Sequence, residues 1–149
     1  MGEPLLEVRN LKTTFMTENG PVTAVDGVSF TVEEGEMLGI VGESGCGKSV
    51  TSESIMRLLN ENTTKYEGEI IYKQQNLLKL SKKEMRKIRG NEISMIFQDA
   101  MTALNPVYTI GNQIVEAILQ HRKISKKEAK TEAIELLRQI GRASCRERV

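Results

Sequence analysis

The stretch GESGCGKS, residues 42–49, decides the fold of this chain. It matches the pattern GxxxxGK[ST], in which glycines let the backbone turn tightly and bring its N–H groups against phosphate oxygens. Lys48 would reach the β- and γ-phosphates of a nucleotide, and the Ser49 hydroxyl would coordinate Mg²⁺. The predicted nucleotide-binding residues of the loop are Gly42, Glu43, Ser44, Gly45, Cys46, Gly47, Lys48, Ser49 and Val50.

The segments on either side supply the context that such a loop needs. Met37 to Val41 (MLGIV) is a short apolar run, which predicts a strand buried on both faces of a parallel sheet. Val50 to Leu59 has apolar residues at helical spacing and predicts a helix whose positive end faces the phosphates. Strand, loop and helix in this order favour nucleotide binding over a chance match. The loop alone does not distinguish kinases, GTPases, helicases and transporter ATPases.

Further elements are predicted along the rest of the chain. The predicted strands are Leu5 to Phe15, Val22 to Val32, Tyr66 to Tyr72 and the buried-type Ile93 to Phe97 (ISMIF), with a turn at Thr17 to Pro21 centred on Asn19-Gly20. The predicted helices are Ser81 to Arg89, Ile110 to Leu119 and Lys126 to Ile140. Ser81 and Ser125 each precede a glutamate by three residues, the spacing of a capping box.

Composition excludes several classes of protein. The net charge of +1 gives no global electrostatic case for binding nucleic acid or an anionic membrane surface. Cys46 and Cys145 form no CxxC pair and His121 is the one histidine, so we expect neither a metal cage nor a disulfide framework, and a reducing compartment fits. No run approaches the roughly 20 apolar residues that span a bilayer, and the N-terminus is not that of a signal peptide. Any link to a membrane would therefore go through a partner.

From Leu5 to about Gly141 the sequence resembles the ATP-binding subunit of an ABC transporter, and more narrowly the dipeptide and oligopeptide (peptide/nickel) import branch. The resemblance rests on the loop GESGCGKSVT, on RGNEISMIFQDAMTALNPVYTIGNQIVEAI at residues 89–118, and on the opening LLEVRNLKTTF with AVDGVSF. It implies an α/β fold, with a P-loop NTPase (RecA-like) core, an N-terminal antiparallel β subdomain and the start of an α-helical subdomain. The implied cofactors are ATP and Mg²⁺.

The resemblance also implies roles for residues outside the loop. Phe15 would stack on adenine, although a core phenylalanine is the alternative. Gln98 would lie in the family's Q-loop, where its amide meets Mg²⁺ or the attacking water, so that Ser49 and Gln98 are the candidate metal ligands. Candidates for contact with membrane-spanning subunits, or alternatively for the core, are Leu104, Pro106, Val107, Tyr108 and Ile110. Ala100 and Ala103 depart from the family's usual proline and serine, which puts the rigidity of this loop in doubt.

Several parts of the family pattern are not found in these 149 residues. They are the LSGGQ-like signature, the Walker B strand with its Asp and Glu, and the switch histidine, for which His121 lies too early. The resemblance therefore implies a partial nucleotide-binding domain over residues 1–141, truncated before the signature and Walker B, and a non-native tail over residues 142–149 (RASCRERV). We expect the 149 residues alone not to hydrolyse ATP, and MLGIV and ISMIF to expose apolar faces.

In the complete protein, the resemblance implies ATP hydrolysis that powers import of dipeptides and oligopeptides. The implied partners are transmembrane permease subunits, a second ATP-binding subunit paired head to tail in a homo- or heterodimer, and indirectly an extracytoplasmic peptide-binding protein. No nucleic acid is expected, and the location would be peripheral, at the cytoplasmic face of the membrane. The alternatives are a non-catalytic nucleotide-binding fragment and a small-molecule P-loop kinase, which would need an arginine-rich lid.

Overall fold

The described residues form an antiparallel sheet of four strands in the order β2-β1-β3-β4. The computed structural model describes residues 4–98 and 104–140. The chain divides into two units, residues 1–89 and residues 90–149, and the sheet belongs to the first. Its strands are β1 (Leu6–Thr17), β2 (Gly20–Val32), β3 (Thr64–Tyr72) and the short β4 (Gln75–Asn76).

The β1–β2 hairpin closes where the sequence predicts a turn. Thr17 pairs with Gly20, which leaves Glu18 and Asn19 as a two-residue connection, one residue earlier than the predicted centre. The Thr17 hydroxyl donates to the Gly20 carbonyl at 2.7 Å, and Gly20 has a φ of +109° that glycine adopts without strain. The predicted turn and its two flanking strands are therefore confirmed.

The core of the first unit lies on one face of the sheet. Val8, Leu11 and Ile70 are buried there, together with Leu77 from a 3-10 turn (Leu77–Lys79). The helix α1 (Lys48–Ile55) makes contacts with both β1 and β2. Burial of these apolar side chains supplies the main driving force for the fold of this unit.

A buried hydrogen bond fastens α1 to the sheet. The hydroxyls of Thr13 on β1 and Ser54 on α1 lie 2.9 Å apart, and both side chains are fully buried. The Ser54 hydroxyl also lies 2.6 Å from the carbonyl of Val50, to which it donates. Neither hydroxyl is therefore left without a partner in the core.

Two of the other helices, α2 and α4, begin at the predicted caps. In α2 (Lys82–Ile88), Ser81 and Glu84 form the predicted capping box, and the hydrogen bonds from Ser81 lower the pKa of Glu84. The second unit contains α3 (Ile110–His121), capped by Thr109, and α4 (Lys126–Gln139), capped by the Ser125–Glu128 box. Its core is a small apolar cluster formed by Val115, Ala129 and Ala133 with Ile114, Ile118 and Ile124.

Two predicted strands are wrong in this structure. Met37 to Val41 adopts no regular secondary structure, and Ile93 to Phe97 has only a bridge at Ile93. A strand needs neighbours that accept and donate its backbone hydrogen bonds, and within residues 4–98 and 104–140 no strand pairs with either segment. The expected exposure of apolar side chains is confirmed, since Met37, Val41 and Ile96 are more than nine-tenths exposed.

The helix after the loop also differs from its predicted span. It begins at Lys48 and ends at Ile55, instead of running from Val50 to Leu59. Arg57 has a φ of +49°, a left-handed conformation that cannot continue an α-helix. Across the part of the chain that is described, none of the helices is long and apolar enough to pass through a bilayer.

Replacing Ser54 with alanine tests how firmly α1 is fastened to the sheet. We expect Ser54→Ala to lower the free energy of unfolding by about 1–3 kcal/mol, because it leaves the Thr13 hydroxyl buried without a partner. The measurement is urea denaturation followed by circular dichroism. Ser52→Ala is the matched control, since the Ser52 hydroxyl makes only a long 3.4 Å contact with the Lys48 carbonyl. Equal losses in the two variants would contradict this account.

Candidate nucleotide-binding site

The loop at residues 42–47 is built on two left-handed glycines. Gly45 has a φ of +83° and Gly47 a φ of +90°, a region that residues with a Cβ adopt only with strain. Between them, the Cys46 amide donates to the Glu43 carbonyl at 3.4 Å. The backbone therefore turns back on itself just before α1 begins.

Gly47 is required for a second reason, which is space. A Cβ on this residue would overlap the carbonyl oxygen of Ala24 and would lie 3.6 Å from the Val25 side chain, both on β2. The absence of a side chain lets the start of α1 approach the strand directly. The loop is thus held at a fixed place on the sheet.

The N-terminus of α1 has free donors for an anion. Gly47 is the N-cap residue and provides no side-chain cap, so the first-turn N–H groups of the helix lack the usual serine or aspartate acceptor. The helix dipole adds a partial positive charge at the same end. An anionic group such as phosphate fits these donors. The residues of this loop are therefore suited to bind the phosphates of a nucleotide.

Lys48 lies across the same loop. Its ammonium donates to the carbonyls of Gly42 at 2.6 Å and Glu43 at 2.5 Å, and it lies 3.4 Å from the Cys46 sulfur. An ammonium has three donors, and here the two carbonyls and the Cys46 sulfur, a weak acceptor, take all three. The positive charge is therefore held where the loop would enclose phosphates.

Ser49 follows on the first turn of α1 and is exposed. Mg²⁺ keeps several waters and is commonly bound through few protein oxygens together with substrate phosphates, so a single hydroxyl next to the loop suffices. Among residues 4–98 and 104–140, no group of three or more His, Cys, Asp or Glu residues could hold a metal ion. A metal at this loop would accordingly depend on Ser49 and on the bound phosphates.

Two predicted site residues, Phe15 and Gln98, lie outside this stretch of the sequence. Phe15 lies half-buried on β1, paired with Val22 on β2 and Thr64 on β3, so its contact with adenine stays a prediction. Gln98 is exposed and belongs to the second unit, whereas the loop belongs to the first. Its role near Mg²⁺ also stays a prediction.

Some predictions lie outside the described residues, namely those on Ala100 and Ala103, on Cys145, and on the tail at residues 142–149. His121 is an exposed residue at the end of α3, as predicted for a helix surface. The apolar residues proposed for a membrane partner are exposed rather than core, with Val107 at 82% and Tyr108 at 63%.

Sequence reasoning missed the residues that support the loop. Ala24 receives the close approach of Gly47, and Thr13 binds Ser54. The third glycine of the pattern was a signal that some backbone comes near, but no local feature of the sequence names which strand it meets. The Thr13–Ser54 pair spans 41 residues and follows no periodic pattern.

Comparison with known proteins settles the family. The family model described as ABC transporter matches residues 25–149, most of the chain. The chain belongs to the ABC transporter family. The sequence resemblance and the fold that it implied are therefore confirmed at the level of the family.

Curated ABC relatives share about half of the aligned residues. The chain is 56% identical over 91% of its length to the probable peptide ABC transporter ATP-binding protein y4tR of Sinorhizobium fredii. It is 55% identical over 93% to the dipeptide transport ATP-binding protein DppD of Bacillus subtilis, and 51% identical over 92% to the oligopeptide transport protein OppD of the same organism. The chain spans 41%, 42% and 38% of these relatives' lengths, respectively.

Solved ABC cassettes have the same fold. A dimeric bacterial ABC transporter cassette matches with a TM-score of 0.70 at 25% identity, over 91% of this chain and 57% of the other. A post-hydrolysis state of an ATP-binding cassette bound to ADP and Pi matches with a TM-score of 0.72 at 24% identity, with the same coverage. The second likeness shows the fold alone.

Substitution of Gly47 tests the close approach to β2. We expect Gly47→Ala to lower the free energy of unfolding by more than the roughly 1–2 kcal/mol that a left-handed alanine costs, because the new methyl group overlaps the Ala24 carbonyl. Gly35→Ala is the control, since Gly35 has a similar φ of +78° with open space around it. Chemical denaturation measures both. A loss no larger than that of Gly35→Ala would rule out the close approach as a determinant of stability.

Proposed function

We propose that this chain binds ATP with Mg²⁺ at Gly42–Ser49 and forms part of an ABC transporter subunit that powers peptide import. The observation that carries the nucleotide proposal is the combination of an uncapped helix N-terminus with a lysine ammonium held across the preceding loop. Both features favour binding of an anion, and both lie at the glycine loop. Val50 supplies a further first-turn amide to this set.

The metal and the remaining nucleotide contacts follow from the same proposal. When bound, Mg²⁺ would neutralise phosphate charge, and the Ser49 hydroxyl of this chain would hold it at the helix end. Phe15 would contribute stacking on the base, and Gln98 would position water or the metal. The γ-phosphate would accept a hydrogen bond from Lys48 in place of the one that the ammonium now donates to the Cys46 sulfur, a weak acceptor.

Peptide is the proposed cargo because relatives named for peptide, dipeptide and oligopeptide transport align over more than nine-tenths of this chain. The chain spans about two-fifths of their lengths, so hydrolysis and coupling are proposed for the whole protein. Pairing with a second ATP-binding subunit is supported by the dimeric state named for a cassette of the same fold, and the head-to-tail arrangement is part of the proposal. An indirect link to an extracytoplasmic peptide-binding protein is part of the same proposal, as is a peripheral location at the cytoplasmic face.

The proposed contact with permease subunits is a rigid apolar turn. The Gln113 carboxamide accepts from the Asn105 amide at 2.9 Å and donates to the Asn105 and Tyr108 carbonyls at 2.9 and 3.1 Å. These bonds fix the turn that exposes Val107 and Tyr108.

A charge placed on this turn tests the proposed contact. In the assembled transporter, we expect Val107→Asp to reduce co-purification of the permease subunits; unchanged recovery would count against this surface.

Loss of the lysine charge tests nucleotide binding. We expect Lys48→Ala to weaken ATP–Mg²⁺ binding roughly 10- to 100-fold, since hydrogen bonds to charged groups contribute about 1.5–3 kcal/mol. Isothermal titration calorimetry measures the affinity. Lys65→Ala, which removes an exposed lysine on β3, is the control and should leave the affinity unchanged. Equal affinities for Lys48→Ala and the original chain would contradict the proposal.

A second expectation separates binding from turnover. We expect the 149 residues to bind ATP without hydrolysing it, because phosphoryl transfer needs groups that position water and stabilise charge, and the family resemblance supplies only Gln98 for that task. Phosphate release under saturating ATP–Mg²⁺ is the measurement. Turnover that disappears in Lys48→Ala would show that the expectation is wrong.

A further inference from the structure

A basic cavity lies away from the nucleotide loop, between the end of α1 and α2. Its volume is about 280 Å³, and none of the residues that line it belongs to the stretch 42–50. Four cationic side chains and one carboxylate line it, a net charge of +3: Arg57, Lys82, Arg86 and Arg89 against Glu61. Leu59 and Met85 form the apolar part of the wall. A concave site with one sign of charge concentrates counter-ions of the opposite sign.

Two of these arginines are held in place by backbone carbonyls. Arg57 donates to the carbonyls of Leu77 at 3.1 Å and Leu80 at 2.6 Å, and its side chain is only 12% exposed. Arg89 donates to the carbonyl of Met56 at 2.7 Å and to that of Arg57. A guanidinium has five N–H donors, so each of these two side chains keeps N–H groups that could donate to a ligand. Their positions are therefore fixed before any ligand binds.

The single carboxylate of the lining is shared. Glu61 pairs with Arg57 at 3.0 Å and with Lys82 at 2.9 Å, and the hydrogen bond from Lys82 is the main cause of its lowered pKa. Burial lowers the pKa of Arg89, and the positive charge of Arg57 lowers it further. Positive charge thus remains in excess, and two guanidinium groups repel each other within the first unit.

We propose that this cavity binds a phosphate-type oxyanion, either free inorganic phosphate or the headgroup of an anionic phospholipid. Planar guanidinium groups match phosphate oxygens in pairs, and an ammonium adds a point charge. Two prepositioned arginines, the more exposed Arg86 and Lys82, and the excess of positive charge favour an anion with several acceptor oxygens. The proposal does not depend on the nucleotide site.

The test uses the full chain with the nucleotide loop disabled. In the Lys48→Ala background, inorganic phosphate is titrated by calorimetry into the chain with and without Arg86→Gln. We expect Arg86→Gln to weaken binding by about tenfold or more, as for loss of a charge-assisted hydrogen bond. Lys87→Gln is the matched control, because it removes the same charge from the same helix outside the cavity. Equal weakening of phosphate binding by both substitutions would overturn the proposal.

Removal of the Glu61 carboxylate should change the affinity for phosphate in the opposite direction. We expect Glu61→Gln to tighten phosphate binding by roughly threefold, in keeping with the modest strength of partly exposed ion pairs. If the arginines served only to hold the backbone, this substitution would leave phosphate binding unchanged. Unchanged or weaker binding in this variant would therefore contradict the proposal.

Vesicles distinguish the two sources of phosphate. The Lys48→Ala chain is sedimented with phosphatidylcholine vesicles that contain or lack phosphatidic acid. Sedimentation that requires phosphatidic acid and is lost in Arg86→Gln assigns the site to a lipid headgroup. Arg86-dependent calorimetric binding of phosphate without such sedimentation assigns it to free phosphate. Absence of both overturns the proposal, and ATP binding by the chain with Lys48 intact is measured separately as the test of the nucleotide site.

Discussion

The structure depends on one close approach, that of Gly47 to the carbonyl of Ala24 on β2. This contact sets where α1 begins, and the Thr13–Ser54 hydrogen bond fastens the same helix about two turns later. With both points fixed, the first-turn amides and the Lys48 ammonium take defined positions on a rigid sheet. Preorganised donors bind anions better than donors that must first be ordered.

The two ends of α1 are satisfied in opposite ways. The N-terminus has no side-chain cap, and Lys48 closes the preceding loop by donating to its carbonyls. At the other end, Arg89 donates to the carbonyls of Met56 and Arg57. Cations at a helix C-terminus and anions at its N-terminus are both favoured by the helix dipole. A single short helix thereby organises the nucleotide loop at one end and the basic cavity at the other.

Local signals in the sequence predicted local structure correctly. The P-loop pattern, the β1–β2 turn and the capping boxes at Ser81 and Ser125 depend on residues a few positions apart, and all are present. MLGIV and ISMIF failed as predicted strands because apolar composition shows only that a segment can be buried, while strand formation requires a paired neighbour. No local sequence pattern predicted the hydrogen bonds of Arg57 and Arg89, because the carbonyls that accept them lie 20 to 33 residues away in the sequence.

Amide NMR shifts during titration with ATP–Mg²⁺ test the central account most directly, because they report which N–H groups meet the ligand. The account predicts the largest changes at Gly45, Gly47, Lys48 and Ser49, saturating together with a single affinity. Saturable shifts elsewhere with none at Gly47 and Lys48 would contradict it.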